Sequence, residues 1–146
     1  GKNQDFKKQF LEKRLKPISE GKKMKELAKY FVPSILSKSA STDVINKAIK
    51  SMERVSEETY KNVIECLVTF DRYNDLPLIQ VPCCLISGSE DTNSPSKTMM
   101  KMFEKLQFGE YYDLKDTGHL VNLESPEKTN NIVLKFLDKI KKNLET

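Results

Sequence analysis

Histidine is nearly missing from this chain: His119 is the only one among 146 residues. Tryptophan is absent, and glycine occurs five times. The three cysteines, Cys66, Cys83 and Cys84, are an odd number with two adjacent, which is no disulfide framework. No C-x-x-C spacing suggests a metal site. The thiols are expected to be reduced and packed as small hydrophobes, as in a cytoplasmic protein. No apolar run approaches the ~20 residues of a membrane span, and no signal peptide is expected. Charge of one sign is also in modest excess, at +4. It comes from lysine doublets such as Lys7-Lys8, Lys22-Lys23 and Lys141-Lys142, which alternate with acidic residues as solvated helix faces do. Without a dense basic run carrying interleaved aromatics, neither nucleic acid nor membrane is expected as a partner.

With 38% hydrophobic and 32% charged residues, the chain reads as one globular domain rich in helical surface. It divides near Leu76-Pro77. Residues 1–76 read as all helix. A polar helix is expected around Asp5 to Leu15. Met24, Leu27, Ala28, Phe31 and Ile35 recur at helical spacing. Val44, Ile45, Ala48, Ile49 and Met52 do so again, after an N-cap at Ser41 or Thr42. Tyr60, Val63, Ile64, Leu67 and Val68 define a third amphipathic helix that starts at Ser56. The stretch "DRYNDLPLIQVP", with two prolines, is expected to be extended.

Residues 77–146 change period. "CCLISG" is a short apolar run stopped by Gly88, as a strand buried on both faces would be. Ser94-Pro95 caps a helix that carries Met99, Met100, Met102, Phe103 and Leu106. "EYYDL" is a second strand. Ser125-Pro126 then opens a last helix with Ile132, Val133, Phe136, Leu137, Ile140 and Leu144 on one side. The order strand, helix, strand, helix is an α/β arrangement with a parallel pair. Two parallel strands do not make an independent sheet, so further strands are expected from another chain or from residues upstream.

Polar residues gather just after both strands. Asp91 follows "LISGSE" and His119 follows "YYDLKDTG". In open α/β sheets this edge is where ligands and catalytic groups collect. A carboxylate beside an imidazole fixes its tautomer and stabilises the imidazolium, leaving the other ring nitrogen to take a proton from a nucleophile. Glu90 and Asp116 are alternative acids, the first one residue early and the second too close to His119 along the chain. Ser87, Ser89 and Cys84 are weak candidates for the nucleophile, because none lies on a strand-to-helix elbow and Cys84 is mid-strand.

"VPCCLISGSEDTNSP" followed by "YYDLKDTGHLVNLESPEKTNNIVLKFL" resembles the C-terminal part of the α/β-hydrolase fold family. The matching positions are Gly88, Asp91, Gly118, His119, Glu124, Pro126 and Glu127. The resemblance implies a C-terminal βαβα portion of that fold over residues 77–146, preceded by an all-helical cap over residues 1–76. It also implies that Asp91 and His119 are the acid and base of a catalytic triad. The family's nucleophile sits in G-x-S-x-G. No two glycines here are four positions apart, so the motif is absent, and an HGG-type oxyanion loop is absent too.

The expected function is therefore the C-terminal segment of a serine hydrolase acting on small ester, lactone or related carbonyl substrates. It would supply acid and base without the nucleophile and be inactive alone. Leu120 and Val121 are expected beside the substrate, and Phe31, Phe70, Met24 and Tyr73 under the cap. The other reading is a non-catalytic ligand-binding protein of the same fold that uses the cap cavity. Either way, unpaired strand edges predict self-association or pairing with the missing N-terminal half.

Overall fold

The structure, a computed structural model, describes residues 4–144; the side chains of Phe6 and Leu144 lie outside the described set. The chain forms two units. The first holds the described residues up to Ser34 together with Ile45–Arg72. The second holds Ile35–Val44 and the described residues from Tyr73 onward.

The first unit is helical. Helix α1 spans Gln4–Ser19 and α2 spans Met24–Phe31, with a 3-10 turn at Val32–Ser34. Helix α3, Thr42–Met52, starts at the end of the 35–44 segment, and α4 spans Glu57–Thr69. Helix α1 runs four residues past the expected Leu15, through Pro17. A proline this near a helix end costs one hydrogen bond rather than a mid-helix break. After α1 the chain turns back at Gly21, whose φ of +87° suits glycine. The Ser41 hydroxyl caps α3 by accepting from Val44 N at 3.3 Å, and Ser56 caps α4 by accepting from Thr59 N at 3.0 Å. Ile18, Met24, Leu27, Tyr60 and Ile64 form a buried cluster, with Phe10, Leu11, Leu15, Met52 and Val55 packed against it. On α4 the buried stripe is Tyr60, Ile64 and Val68, while Val63 and Leu67 are exposed. Cys66 is exposed as well, so it is no core thiol. Helical spacing marks Val63 and Leu67 as apolar without showing which residues of the stripe are covered.

The second unit contains the sheet. Strand β1, Cys83–Gly88, pairs in parallel with β2, Gly109–Leu114, from Cys83 opposite Gly109 to Gly88 opposite Leu114. Helix α5, Ser96–Phe103, connects them. A short helix, α6 at Val121–Glu124, precedes the long α7, Pro126–Leu144. This is a helix-rich α/β architecture with a small parallel sheet. Asp113 Oδ1 accepts from the Ser87 and Ser96 hydroxyls, each at 2.8 Å, and the Ser87 hydroxyl also meets Tyr111 Oη at 2.7 Å. The network ties the start of α5 to both strands. Ile132, Phe136 and Ile140 of α7 are half-buried, whereas Val133, Leu134 and Leu137 are exposed. The helix thus has more apolar surface than this chain covers.

Several expectations are corrected. The stretch Tyr73–Leu78 is a 3-10 helix, not extended. Proline's fixed φ suits a helical turn as well as an extended segment. Tyr73 Oη donates to Lys101 O at 3.3 Å, and Gln107 Nε2 donates to Pro77 O at 2.9 Å. These bonds join the turn to the second unit, so the chain divides at Arg72 and Tyr73 rather than at 76 and 77. The segment 35–44, expected within the helical part, also joins the second unit. Helix α5 starts one residue later than expected, with Pro95 at the cap position, and ends at Phe103 before Leu106.

Candidate active site

Parallel pairing places the ends of β1 and β2 side by side, so the loops after them meet. Ser89 N donates to Leu114 O at 2.9 Å, and Glu90 N donates to Thr117 O at 2.9 Å. A Cβ at Gly88 would collide with the carbonyl oxygens of Thr117 and Gly118, so only glycine lets the two loops approach this closely. The same holds at Gly118. There a Cβ would run into Ser37 N, and it would sit 2.6 Å from Leu36 C and 2.8 Å from Glu124 Oε1.

The contact that results is between Asp91 and His119. Asp91 Oδ2 lies 2.8 Å from His119 Nδ1. The Asp91 side chain is 5% exposed and that of His119 35% exposed. Asp91 Oδ1 accepts from Asn93 N at 2.8 Å and from Ser94 N at 3.0 Å. Those bonds explain why Ser94 is not the helix cap: its backbone closes the turn that holds the carboxylate. An ionised carboxylate only accepts, so Nδ1 of the neutral ring carries the proton and Nε2 is left with the lone pair. This is the chemical state a general base needs, with the ring reachable from solvent. The backbone of His119 is fixed too, its N donating to Ile35 O at 2.8 Å.

Of the competing acids, Glu90 is bonded elsewhere. Glu90 Oε2 accepts from Lys38 N at 2.9 Å. Asp116 takes a left-handed turn position, φ +55°, which aspartate tolerates better than most residues. Its N donates to the Ser89 hydroxyl at 3.0 Å. Ser87 and Ser89 are therefore both engaged within the loops and strands. Burial, then the nearby Glu110 carboxylate, push the Cys84 thiol above its ordinary range, which makes it a poor nucleophile. Among the described residues no three His, Cys, Asp or Glu side chains gather as a metal-binding group. No described helix is long and apolar enough to cross a membrane.

The substrate-side candidates are spread over both units. Leu120 and Val121 follow His119 and are half-buried. Met24 is in the helical core. The Phe31 ring carries the Arg14 guanidinium 3.6 Å from its centre, and Phe70 is 65% exposed. Two surface concavities of about 330 Å³ lie along α1 and α7, and none of these residues lines either. Sequence reasoning left one participant without a role. Glu124 accepts backbone hydrogen bonds on both sides of His119. The only local sign of it was its position between "GH" and "SPE".

Comparison with known structures identifies the fold. An esterase from Thermogutta terrifontis superposes on 95% of this chain with a TM-score of 0.78 at 20% identity. The enol-lactonase of Burkholderia xenovorans superposes on 88% with a TM-score of 0.75 at 22% identity. An esterase from Exiguobacterium antarcticum covers 94%, with a TM-score of 0.78 at 17% identity. The chain spans about half the length of these proteins: 52%, 50% and 49% respectively. Among curated sequences, (E)-2-((N-methylformamido)methylene)succinate hydrolase of Acinetobacter baylyi is 29% identical over 72 residues, 49% of this chain and 26% of that protein. No family model matches. The chain has the α/β-hydrolase fold and comprises part of it.

Proposed function

We propose that this chain supplies the acid and base of a serine hydrolase whose nucleophile lies outside these 146 residues. The observation that carries the reading is the 2.8 Å contact between Asp91 and His119 at the ends of adjacent parallel strands. The hydrolase names of the similar proteins agree with it, as esterases and a lactonase act on carbonyl centres. The helical unit, the described residues up to Ser34 with Ile45–Arg72, would then serve as the cap, and Leu120 and Val121 would border the substrate.

In this mechanism a serine oxygen bonds to the carbonyl carbon of a small ester or lactone as its proton passes to Nε2 of His119. Asp91 balances the imidazolium charge. The ring then gives the proton to the leaving oxygen as the C–O bond breaks, leaving an acyl-serine. Water repeats the sequence, releasing the acid and restoring the serine. The reaction as written uses no metal or organic cofactor. The rest of the sheet, carrying the serine, pairs with the open strand edge and covers exposed Val133, Leu134 and Leu137; alone, the chain self-associates there. Free thiols and a mild net charge suit the cytoplasm.

The test uses the polypeptide that carries this segment with the residues upstream of it. A fluorophosphonate is expected to label one serine upstream of Gly1. His119→Ala or Asp91→Asn is expected to lower kcat about ten-thousand-fold with the fold retained. Absence of any labelled serine, or full turnover in His119→Ala, would contradict the proposal.

A further inference from the structure

We infer that Glu124 is a positioning residue: its carboxylate clamps the backbone on both sides of His119, and the 35–44 segment behind it, so that the imidazole stays in line with Asp91. The inference rests on the acid–base reading of Asp91 and His119 proposed above.

Glu124 Oε2 accepts from Gly118 N at 3.1 Å and from Ser37 N at 2.8 Å, and Oε1 accepts from Leu120 N at 3.2 Å. Gly118 and Leu120 flank the histidine, whose own N is held by Ile35 O. Three consecutive amides around the base are thus bound, two of them by one carboxylate. Hydrogen bonds to an ionised acceptor are roughly twice as strong as neutral ones. The clamp answers a need created at the same place. Gly118 has no room for a side chain against Ser37 and Leu36. A glycine next to the base leaves the backbone free to rotate, and rotation there would swing the ring off Asp91. Glu124 removes that freedom without filling the space.

Glutamine cannot replace it. A carboxamide has one acceptor oxygen, and its NH2 would face a backbone N–H, donor against donor. Glu90 offers a built-in control. It accepts a single amide, Lys38 N, from the same segment, and a glutamine oxygen can take that bond.

The single histidine makes the test direct, because ring 15N signals in this chain come from His119 alone. In the unsubstituted chain, with the ring neutral, the Nδ1–H tautomer is expected to dominate and the amides of Ser37, Gly118 and Leu120 to exchange slowly. In Glu124→Gln, the amide that faces the NH2, Gly118 or Leu120, is expected to exchange about tenfold faster, one hydrogen bond's worth. The Nε2–H tautomer should rise in the same variant. Glu90→Gln should change neither signal. An unaltered tautomer in Glu124→Gln, or the same change in Glu90→Gln, overturns the assignment. If Glu124→Gln does not fold, the unsubstituted chain decides: fast exchange at Gly118 and Leu120 overturns the clamp, and slow exchange sustains it. Asp91→Asn separates this from the parent reading. Its amide oxygen takes the place of Oδ1 against Asn93 and Ser94, its NH2 faces Nδ1, and the tautomer should reverse. No reversal would overturn the acid–base reading and not the clamp.

Discussion

The two units bury opposite things. In the helical unit the buried residues are apolar: Ile18, Met24, Leu27, Ala28, Val32, Ala48, Tyr60, Ile64 and Val68. In the α/β unit only Ile35, Leu36 and Leu114 join that class, whereas all five buried polar residues, Ser37, Ser87, Asp91, Thr117 and Thr129, belong to it. No buried side-chain polar atom is left without a partner among the described residues. The helical unit is held by area removed from water, which is non-directional and tolerant of detail. The α/β unit is held around its site by hydrogen bonds, which fix geometry and fail sharply when one partner is lost. The contact between Asp91 and His119 lies in the second kind of interior.

That contrast can be broken from either side. The largest stability effect is expected in the apolar unit. Ile64→Ala leaves a cavity in the helical cluster and should cost about 2–5 kcal/mol by denaturant unfolding. A loss below about 1 kcal/mol would mean that this cluster is not a closed core. Gly118→Ala comes next. Its methyl forces the 35–44 backbone away and should cost about 1–3 kcal/mol. It should also break the His119 N to Ile35 O bond, seen as faster exchange at the His119 amide. The smallest effect concerns Glu110. The Lys139 ammonium, 2.6 Å away, and the Tyr112 hydroxyl hold its carboxyl below the usual carboxylate range. A depressed carboxylate stabilises the fold above its ordinary value of about 4.3 and loses that contribution as pH falls through the lower folded value. For an exposed ion pair the contribution is below about 1 kcal/mol. Glu110→Gln should thus be slightly less stable than the parent at neutral pH and equal to it once the carboxylate is protonated.

The sheet and the candidate pair were legible because their signals are local. "CCLISG" ends at the glycine that stops β1, and Asp91 and His119 each follow a strand within a few residues. The helical repeats around Met24, Ala48 and Ile64 were equally plain. The 35–44 segment was not legible. Its sequence continues the helical pattern of its neighbours, yet Ser37 N, Lys38 N and Ile35 O are committed to Glu124, Glu90 and His119, far along the chain. Backbone bonds to distant carboxylates leave no period and no motif. For the same reason Glu124 stood in the sequence only as a letter of a pattern. On α7 helical spacing marks Val133 and Leu137 as apolar but not what covers them, and both are exposed.

The central claim is that Asp91 and His119 form a base without its nucleophile. Its most direct test is hydrolysis of p-nitrophenyl acetate by the purified 146-residue chain, beside His119→Ala. The predicted result is no multiple turnover that depends on His119 beyond the rate of free imidazole. Sustained turnover by this chain alone, abolished by His119→Ala, would contradict the account.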